Sequence, residues 1–556
     1  MNLISHPSSL PSWRRNRARA ALPERVVHVD LKGPKIPFSV FKKLLHLYAR
    51  WGISGVLVEY EHRLPELPLS RQFPKADRYT RSEIVELTRL SRDLGLDYFP
   101  LVQTLGHVEY LRHLKGTAAM MENPSYPNQL CPSNPKTRAY LSRLVAYVCE
   151  LHPHSPRINI GLDETHQLGH CPTCKRRAAK LGGKLELYLD HAKWMTAEVI
   201  RLGRKPMMWG DMFLGKGRED LISQLDPRVD VMPWDYSCYT PRVPYVLYKG
   251  HRPCKVAFRS DYTCNSFPTP LPIFPSKGGF TEDLPAKELH RLGGLDKNTG
   301  LAHSFVQGHL MAKLKLPVWG TCAADASASG VFRSNFMRGR HNCNQMIRTL
   351  LELGGHGAVA TIWARGHSFA PINSMWTTSL YAVAQFAASG WSGKTSASDL
   401  KIRASEIAAE VGMPSRFGEW TLDDLLWILS NPNSMGAYGK FTTLQTVLDA
   451  MRQSRAKGVF AEGVMLSTEA EILSQQLIFL VEESRWWNPN RKIVPPSIGS
   501  EMRTRIKTIQ RDIARLKPKA LGYYTTWVGE KNAFETWWRG LYEVDSAMAA
   551  KAVTLV

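Results

Sequence analysis

Two adjacent carboxylates, Asp163 and Glu164, close the apolar run Ile158-Asn159-Ile160-Gly161-Leu162. Such a run reads as a buried parallel strand, which puts the pair where a strand passes into its following loop. Neighbouring side chains on an extended strand point to opposite faces, so two adjacent acids reach one ligand only if the chain bends there. The pattern suggests different roles for the two acids. The competing reading is a pair that caps the next helix, because carboxylates are favourable at helix N-termini.

Polar and aromatic residues recur at the ends of other apolar runs. Asp30, Lys32, Asp211 and Arg365 are candidates for binding hydroxyl groups, or for salt bridges along a common rim. Trp209, Trp234 and Trp363 offer flat faces suited to a sugar ring, with packing inside a barrel as the alternative. Tyr236 could donate a hydrogen bond to a ligand, and His107 is either an imidazole that tunes Glu164 or a histidine satisfied by backbone.

Positioning these residues requires an alternation of short strands and amphipathic helices. Strand-like runs fall at 26–31, 55–60, 98–103, 158–162, 207–211, 229–236, 318–323 and 358–363, the number a closed (β/α)8 TIM barrel needs. Helical patterns at 38–51, 81–94, 137–151, 185–202 and 342–353 would form its outer layer. A Pro- and Gly-rich insertion, 237–316, with a strand-like stretch at 255–259, is expected to fold over the rim. Beyond 392 the pattern becomes all-helical, at 400–411, 422–429, 442–452, 468–483 and 501–516. The expected organisation is a flexible basic arm (1–22), an α/β catalytic barrel (23–392) and a helical C-terminal domain (393–556). The many tryptophans of that last region read as core residues before sugar-stacking ones.

Formal net charge is +23, which favours polyanions through a nonspecific, salt-sensitive attraction. The basic residues are spread through the chain without a zinc-finger array, an RNA-recognition signature or a basic zipper, so specific nucleic-acid binding is not expected. No run is as long and uninterrupted as a membrane span requires, and none is expected. Nine irregularly spaced cysteines do not resemble a secreted disulfide framework, and a cytoplasmic location is the expectation. Cys171, Cys174 and His166 form a CxxC knuckle with a nearby histidine that could ligate zinc. With no second CxxC, and His170 crowding Cys171, a metal-free turn is the preferred reading.

Around the acidic pair, Ile158 to Thr165 resembles the His-x-Gly-x-Asp-Glu motif of family 20 β-N-acetylhexosaminidases, with Asn159 at the histidine position. Gln103-Thr104-Leu105-Gly106-His107 resembles that family's Asp-x-Pro-Gly-His segment, Met208 to Met212 its Trp-Asp-Asp-Met segment, and Ile362-Trp363 its last-strand tryptophan. Asp30-Leu31-Lys32-Gly33 narrows the resemblance to the hexosaminidase D branch, whose Arg-Tyr-Asp-His is replaced here by Arg365-Gly366-His367-Ser368. The resemblance covers about residues 25–390. It implies a retaining exo-β-N-acetylhexosaminidase that removes terminal β-linked GalNAc or GlcNAc from glycans, without a cofactor. In that chemistry the substrate's acetamido oxygen is the nucleophile and forms an oxazolinium intermediate. Glu164 would then be the acid/base and Asp163 the anion that orients and stabilises the acetamido group, with Tyr236 hydrogen-bonded to its oxygen. A barrel that binds sugar without catalysis is the alternative, and a homo-oligomer is compatible with the sequence.

Overall fold

The eight apolar runs form one parallel sheet in the computed structural model: β1 Glu24–Asp30, β2 Gly55–Glu59, β3 Asp97–Leu101, β4 Arg157–Asn159, β5 Lys205–Trp209, β6 Asp230–Met232, β7 Trp319–Asp325 and β8 Gly357–Ile362. The structure describes residues 3, 14, 20–66, 73–114, 116–214, 218–236, 238, 242–243, 245–249, 252–257, 278–280, 302–303, 305–325, 336–363, 375–418, 420–430, 436–488, 495–539, 542 and 544–555. The sheet order is β7-β8-β1-β2-β3-β4-β5-β6. Its ends meet at a parallel bridge between Trp234 and Thr321, where Thr321 N–H donates to Pro233 O (2.9 Å) and Asp235 N–H to Thr321 O (3.0 Å). Closure removes the exposed sheet edges.

Period-two patterning sets what lies on each side of the barrel wall. Val26, Leu57, Phe99, Leu101, Met207, Trp209, Met232, Trp319 and Val359 fill the interior as one cluster. The alternate residues Val27, Val29, Val56 and Val58 belong instead to the larger core beneath the helices. Helix Phe38–Trp51 buries Phe41, Leu44, Leu45 and Tyr48 there and ends at Gly52, whose φ of 80° supplies the left-handed stop. Helix Arg81–Asp93 starts with a capping box in which Thr80 and Glu83 satisfy each other's backbone N–H.

Two strands end earlier than their apolar runs suggest. In β4, Gly161 and Leu162 have φ of 69° and 77° and so leave the extended region. In β6, Pro233 has no N–H to continue a ladder. Within the insertion, strands Tyr245–Lys249 and Arg252–Ala257 pair antiparallel, and Gly278–Phe280 joins the first of them. The expected strand at 255–259 thus begins earlier, and 258–259 lie outside the described residues.

The C-terminal region carries helices Ala397–Glu410, Leu422–Ser430, Gly436–Gln453, Val459–Trp487, Pro496–Trp527, Lys531–Trp538 and Val544–Thr554. It is not purely helical, because Arg416–Phe417 and Trp420–Thr421 form a small antiparallel pair. By length and composition Val459–Trp487 is apolar enough to cross a membrane, which differs from the expectation that no segment would be. Over its most apolar window 56% is buried, and it packs against Gly436–Gln453, Pro496–Trp527 and Val544–Thr554. One continuous core runs from the barrel helices into these. Tyr381 stacks on Phe460 (6.3 Å), Tyr523 Oη donates to Thr377 Oγ1 (2.9 Å), and Arg63 pairs with Glu530 (2.7 Å). From the basic arm, Arg14 Nη1 donates to Ala49 O at 2.7 Å.

Candidate active site

Backbone geometry at the end of β4 decides where the two acids point. Leu162, Glu164 and the facing His107 have φ of 77°, 47° and 55°, a cluster of left-handed non-glycine residues. Such conformations cost energy and persist only where the surroundings hold them. Here Asn159 Oδ1 accepts from Gly161 N–H (2.8 Å), Thr104 Oγ1 donates to Ile160 O (2.6 Å) and Tyr188 Oη donates to Leu162 O (2.9 Å). Asn159 therefore stabilises the turn that releases the acids. A Cβ on Gly161 would lie 2.0 Å from Gln103 Oε1, and one on Gly106 would lie 2.6 Å from Asp163 O, so both glycines permit the close approach of the two loops.

The bend brings both carboxylates to one imidazole. His107 Nε2 is 3.2 Å from Asp163 Oδ2 and 3.5 Å from Glu164 Oε2. Their surroundings differ: the Asp163 side chain is 10% exposed and that of Glu164 45%. Glu164 N–H donates to Asp211 Oδ2 (3.1 Å), which ties the loop after β4 to the end of β5. Burial opposes charge on His107, but attraction and hydrogen bonding to Asp163 outweigh it and raise its pKa to about 10. The group is an imidazolium at neutral pH.

Across the rim a second charged group is sealed. Glu59, fully buried, meets Lys32 Nζ (3.0 Å), His28 Nε2 (3.1 Å) and Gln103 Nε2 (2.9 Å). Burial works against its charge, yet Lys32 and the hydrogen bonds from His28 and Gln103 hold its carboxyl well below the usual range. Asp30 Oδ1 accepts from Lys32 N–H (2.7 Å), and Lys32 Nζ lies 3.8 Å from Asp30 Oδ2.

Aromatic rings complete the rim. Trp234 stacks on Tyr236 (5.0 Å, 19°), and Tyr236 meets Trp363 edge-on (6.4 Å, 62°). Lys32 Nζ sits 4.6 Å from the Trp363 ring centroid. Trp209 is different: it is 1% exposed and belongs to the interior cluster against which Trp234 packs. Arg365 lies outside the described residues.

The structure thus joins Asp163, Glu164, His107 and Asp211 in one group, and Asp30, Lys32 and Trp363 in another that also contacts Tyr236 and Trp234. His28, Glu59 and Gln103 were not selected as site residues from sequence. The signal was present: each continues the interior face of its strand, after Val26, Leu57 and Leu101 respectively. Of the zinc candidates, His166 is exposed and does not join Cys171 and Cys174, which cluster instead with Cys131 and Glu122. A groove of about 570 Å³ between the C-terminal helices includes neither Asp163 nor Glu164 in its lining, and its Arg452 and Lys519 are paired to Glu469.

Residues 70–253 match the family model described as glycosyl hydrolase family 20, catalytic domain. Over 218 residues the chain is 33% identical to Hexosaminidase D of Homo sapiens, a match covering 38% of this chain and 45% of that protein. It is 30% identical over 216 residues to Hexosaminidase D of Bos taurus, covering 38% and 62% respectively. The matched segment therefore spans about half the length of these curated relatives. Among solved structures, a β-N-acetylhexosaminidase from Bacteroides fragilis aligns with a TM-score of 0.47 at 16% identity, covering 69% of this chain and 70% of that one.

Proposed function

We propose that this hexosaminidase D-like chain, with its family 20 match at residues 70–253, is a glycoside hydrolase that removes terminal β-linked N-acetylhexosamine from glycans with retention of configuration. The observation that carries the reading is the convergence of Asp163 and Glu164 on His107, with one acid enclosed and the other open to solvent. Glu164 gives its proton to the glycosidic oxygen as the bond to the anomeric carbon breaks, while the substrate's acetamido oxygen bonds to that carbon. Asp163, with its Oδ2 3.2 Å from His107 Nε2, faces the positive charge that grows on the acetamido group. Such an oriented anion acts mainly in the transition state. Glu164 then takes a proton from the water that opens the oxazolinium.

Tyr236 and the rings of Trp234 and Trp363 would hold the acetamido group and the apolar face of the sugar. Positioning a nucleophile already attached to the substrate removes the entropy cost of a separate encounter. Asp30, Lys32 and Asp211 would take sugar hydroxyls. The irregular spacing of the nine cysteines supports a reducing compartment, the cytoplasm.

A panel of nitrophenyl β-glycosides tests the proposal. Cleavage of the N-acetylglucosaminide or N-acetylgalactosaminide, with the plain glucoside and galactoside untouched, is expected, and NMR should show the β-anomer of the sugar formed first. Equal cleavage of sugars without the acetamido group rules out the substrate-assisted route. Binding of N-acetylhexosamine without turnover of any glycoside would identify a barrel that only recognises sugar.

A further inference from the structure

We infer that Glu122, Cys131, Cys171 and Cys174 form a structural zinc site that staples the loop after β3 to the loop after β4. Their ligand atoms all lie within 4.8 Å of one another. Cys131 Sγ is 3.6 Å from Cys171 Sγ and 3.4 Å from Cys174 Sγ. A tetrahedral zinc with bonds of about 2.3 Å to sulfur needs sulfurs about 3.8 Å apart, so small movements complete the shell. Three thiolates and one carboxylate are a soft, compact donor set that suits Zn2+ over Mg2+ or Ca2+.

The surroundings are built for anionic ligands. Cys174 N–H donates to Cys171 Sγ (3.3 Å), Ser133 Oγ lies 3.0 Å from Cys174 Sγ, and Cys171 N–H donates to Glu122 Oε1 (3.0 Å). Cys171 is also the N-cap of helix Pro172–Leu181, where the helix end favours negative charge. Glu122 is 1% exposed, and its Oε2 has no hydrogen-bond partner among the described residues. A buried carboxylate oxygen left so beside three sulfurs is costly, and a cation between them removes that cost. Sequence alone offered the CxxC with a nearby histidine. A hairpin-like turn, held by Glu122 N–H to Gln129 O (2.9 Å) and Cys131 N–H to Met120 O (2.7 Å), delivers the other two ligands.

The same two loops already touch through Gln167, whose N–H donates to Gln129 Oε1 (2.9 Å) and whose Oε1 accepts from Asn123 Nδ2 (3.1 Å). The metal would lock this seam next to the segment that carries Asp163 and Glu164. Its role is positional, and it takes no part in bond cleavage.

The test uses the untagged full-length chain, purified under reducing conditions and dialysed against metal-free buffer, with metal measured by mass spectrometry. One zinc per chain is expected in the wild type, with its loss in C131S and C174S and its retention in C343S, whose thiol belongs to the separate buried pair with Cys322. E122Q should release zinc to a chelator at least about tenfold faster. Cobalt added to the metal-free wild type should give thiolate-to-cobalt charge-transfer absorption. Three results would each overturn the site: a wild-type chain that binds neither zinc nor cobalt, zinc that survives both cysteine substitutions, or peptide mapping that shows Cys131 disulfide-bonded to Cys171 or Cys174. Unchanged release from E122Q overturns the four-residue ligand set. No substrate is involved, so the outcome is separate from that of the hydrolase proposal.

Discussion

The two charged clusters on the barrel rim are made of similar residues and held in opposite ways. Beside β1 and β2, Glu59 is fully buried and saturated by Lys32, His28 and Gln103. Beside β4, Glu164 is nearly half exposed, on left-handed backbone, with His107 at 3.5 Å. A carboxylate fully engaged in a low-dielectric pocket is fixed in charge and position, so it can hold neighbours but cannot exchange protons readily. One open to solvent, on a loop bent for that purpose, can do so. The difference separates a carboxylate locked into a charge network from one open to solvent on the same rim.

Four substitutions or titrations sharpen the contrast. Glu164→Gln should lower turnover of an aryl β-N-acetylhexosaminide with a poor leaving group by about 10²–10⁴-fold, the range of a general acid's contribution. Its unfolding free energy should move by no more than about 0.5 kcal/mol, as for other exposed positions. Glu59→Gln should behave the other way, costing about 3–5 kcal/mol in urea unfolding because it leaves Lys32 buried without its main counter-charge. If the two variants changed stability equally, the division drawn above would be wrong.

Asp163→Asn should lower kcat by about 10²–10³-fold, typical for one electrostatic contact in a transition state, with the fold retained by circular dichroism. The fourth test is of pH dependence. His107 is raised from 6.5 to about 10 on folding, so its contribution is fully present below pH 6.5 and is lost as pH rises through about 10. Thermal melts should therefore show wild-type stability declining across that window, and Asp163→Asn should flatten the decline. An identical slope in both proteins would detach His107 from Asp163.

Much of this architecture was legible. All eight strands were expected in their places, as were five outer helices and the helical C-terminal region, because each rests on a period repeated within a few residues, whereas helices Pro172–Leu181, Val306–Lys313 and Leu380–Ser392 were not foreseen. Applied further, the same period would have reached His28, which continues an apolar interior face as a polar residue. Helix Val459–Trp487 extends well beyond the expected 468–483, since burial against several helices sustains it past the visible amphipathic pattern. The small strand pair at Arg416–Phe417 and Trp420–Thr421 escaped detection because two-residue strands carry no period.

Sequence by itself determined that Asp163 and Glu164 would stand together where a strand gives way to its loop, and that aromatic and polar residues would crown the neighbouring strands. Only the tertiary structure decided which of these meet: His107 with both acids, Lys32 with Glu59 and Trp363, and Cys131 and Glu122 with the CxxC. The reason is the range of the forces involved. Side-chain alternation follows from local backbone geometry, whereas contacts between loops exist only once eight strands have paired in register and closed.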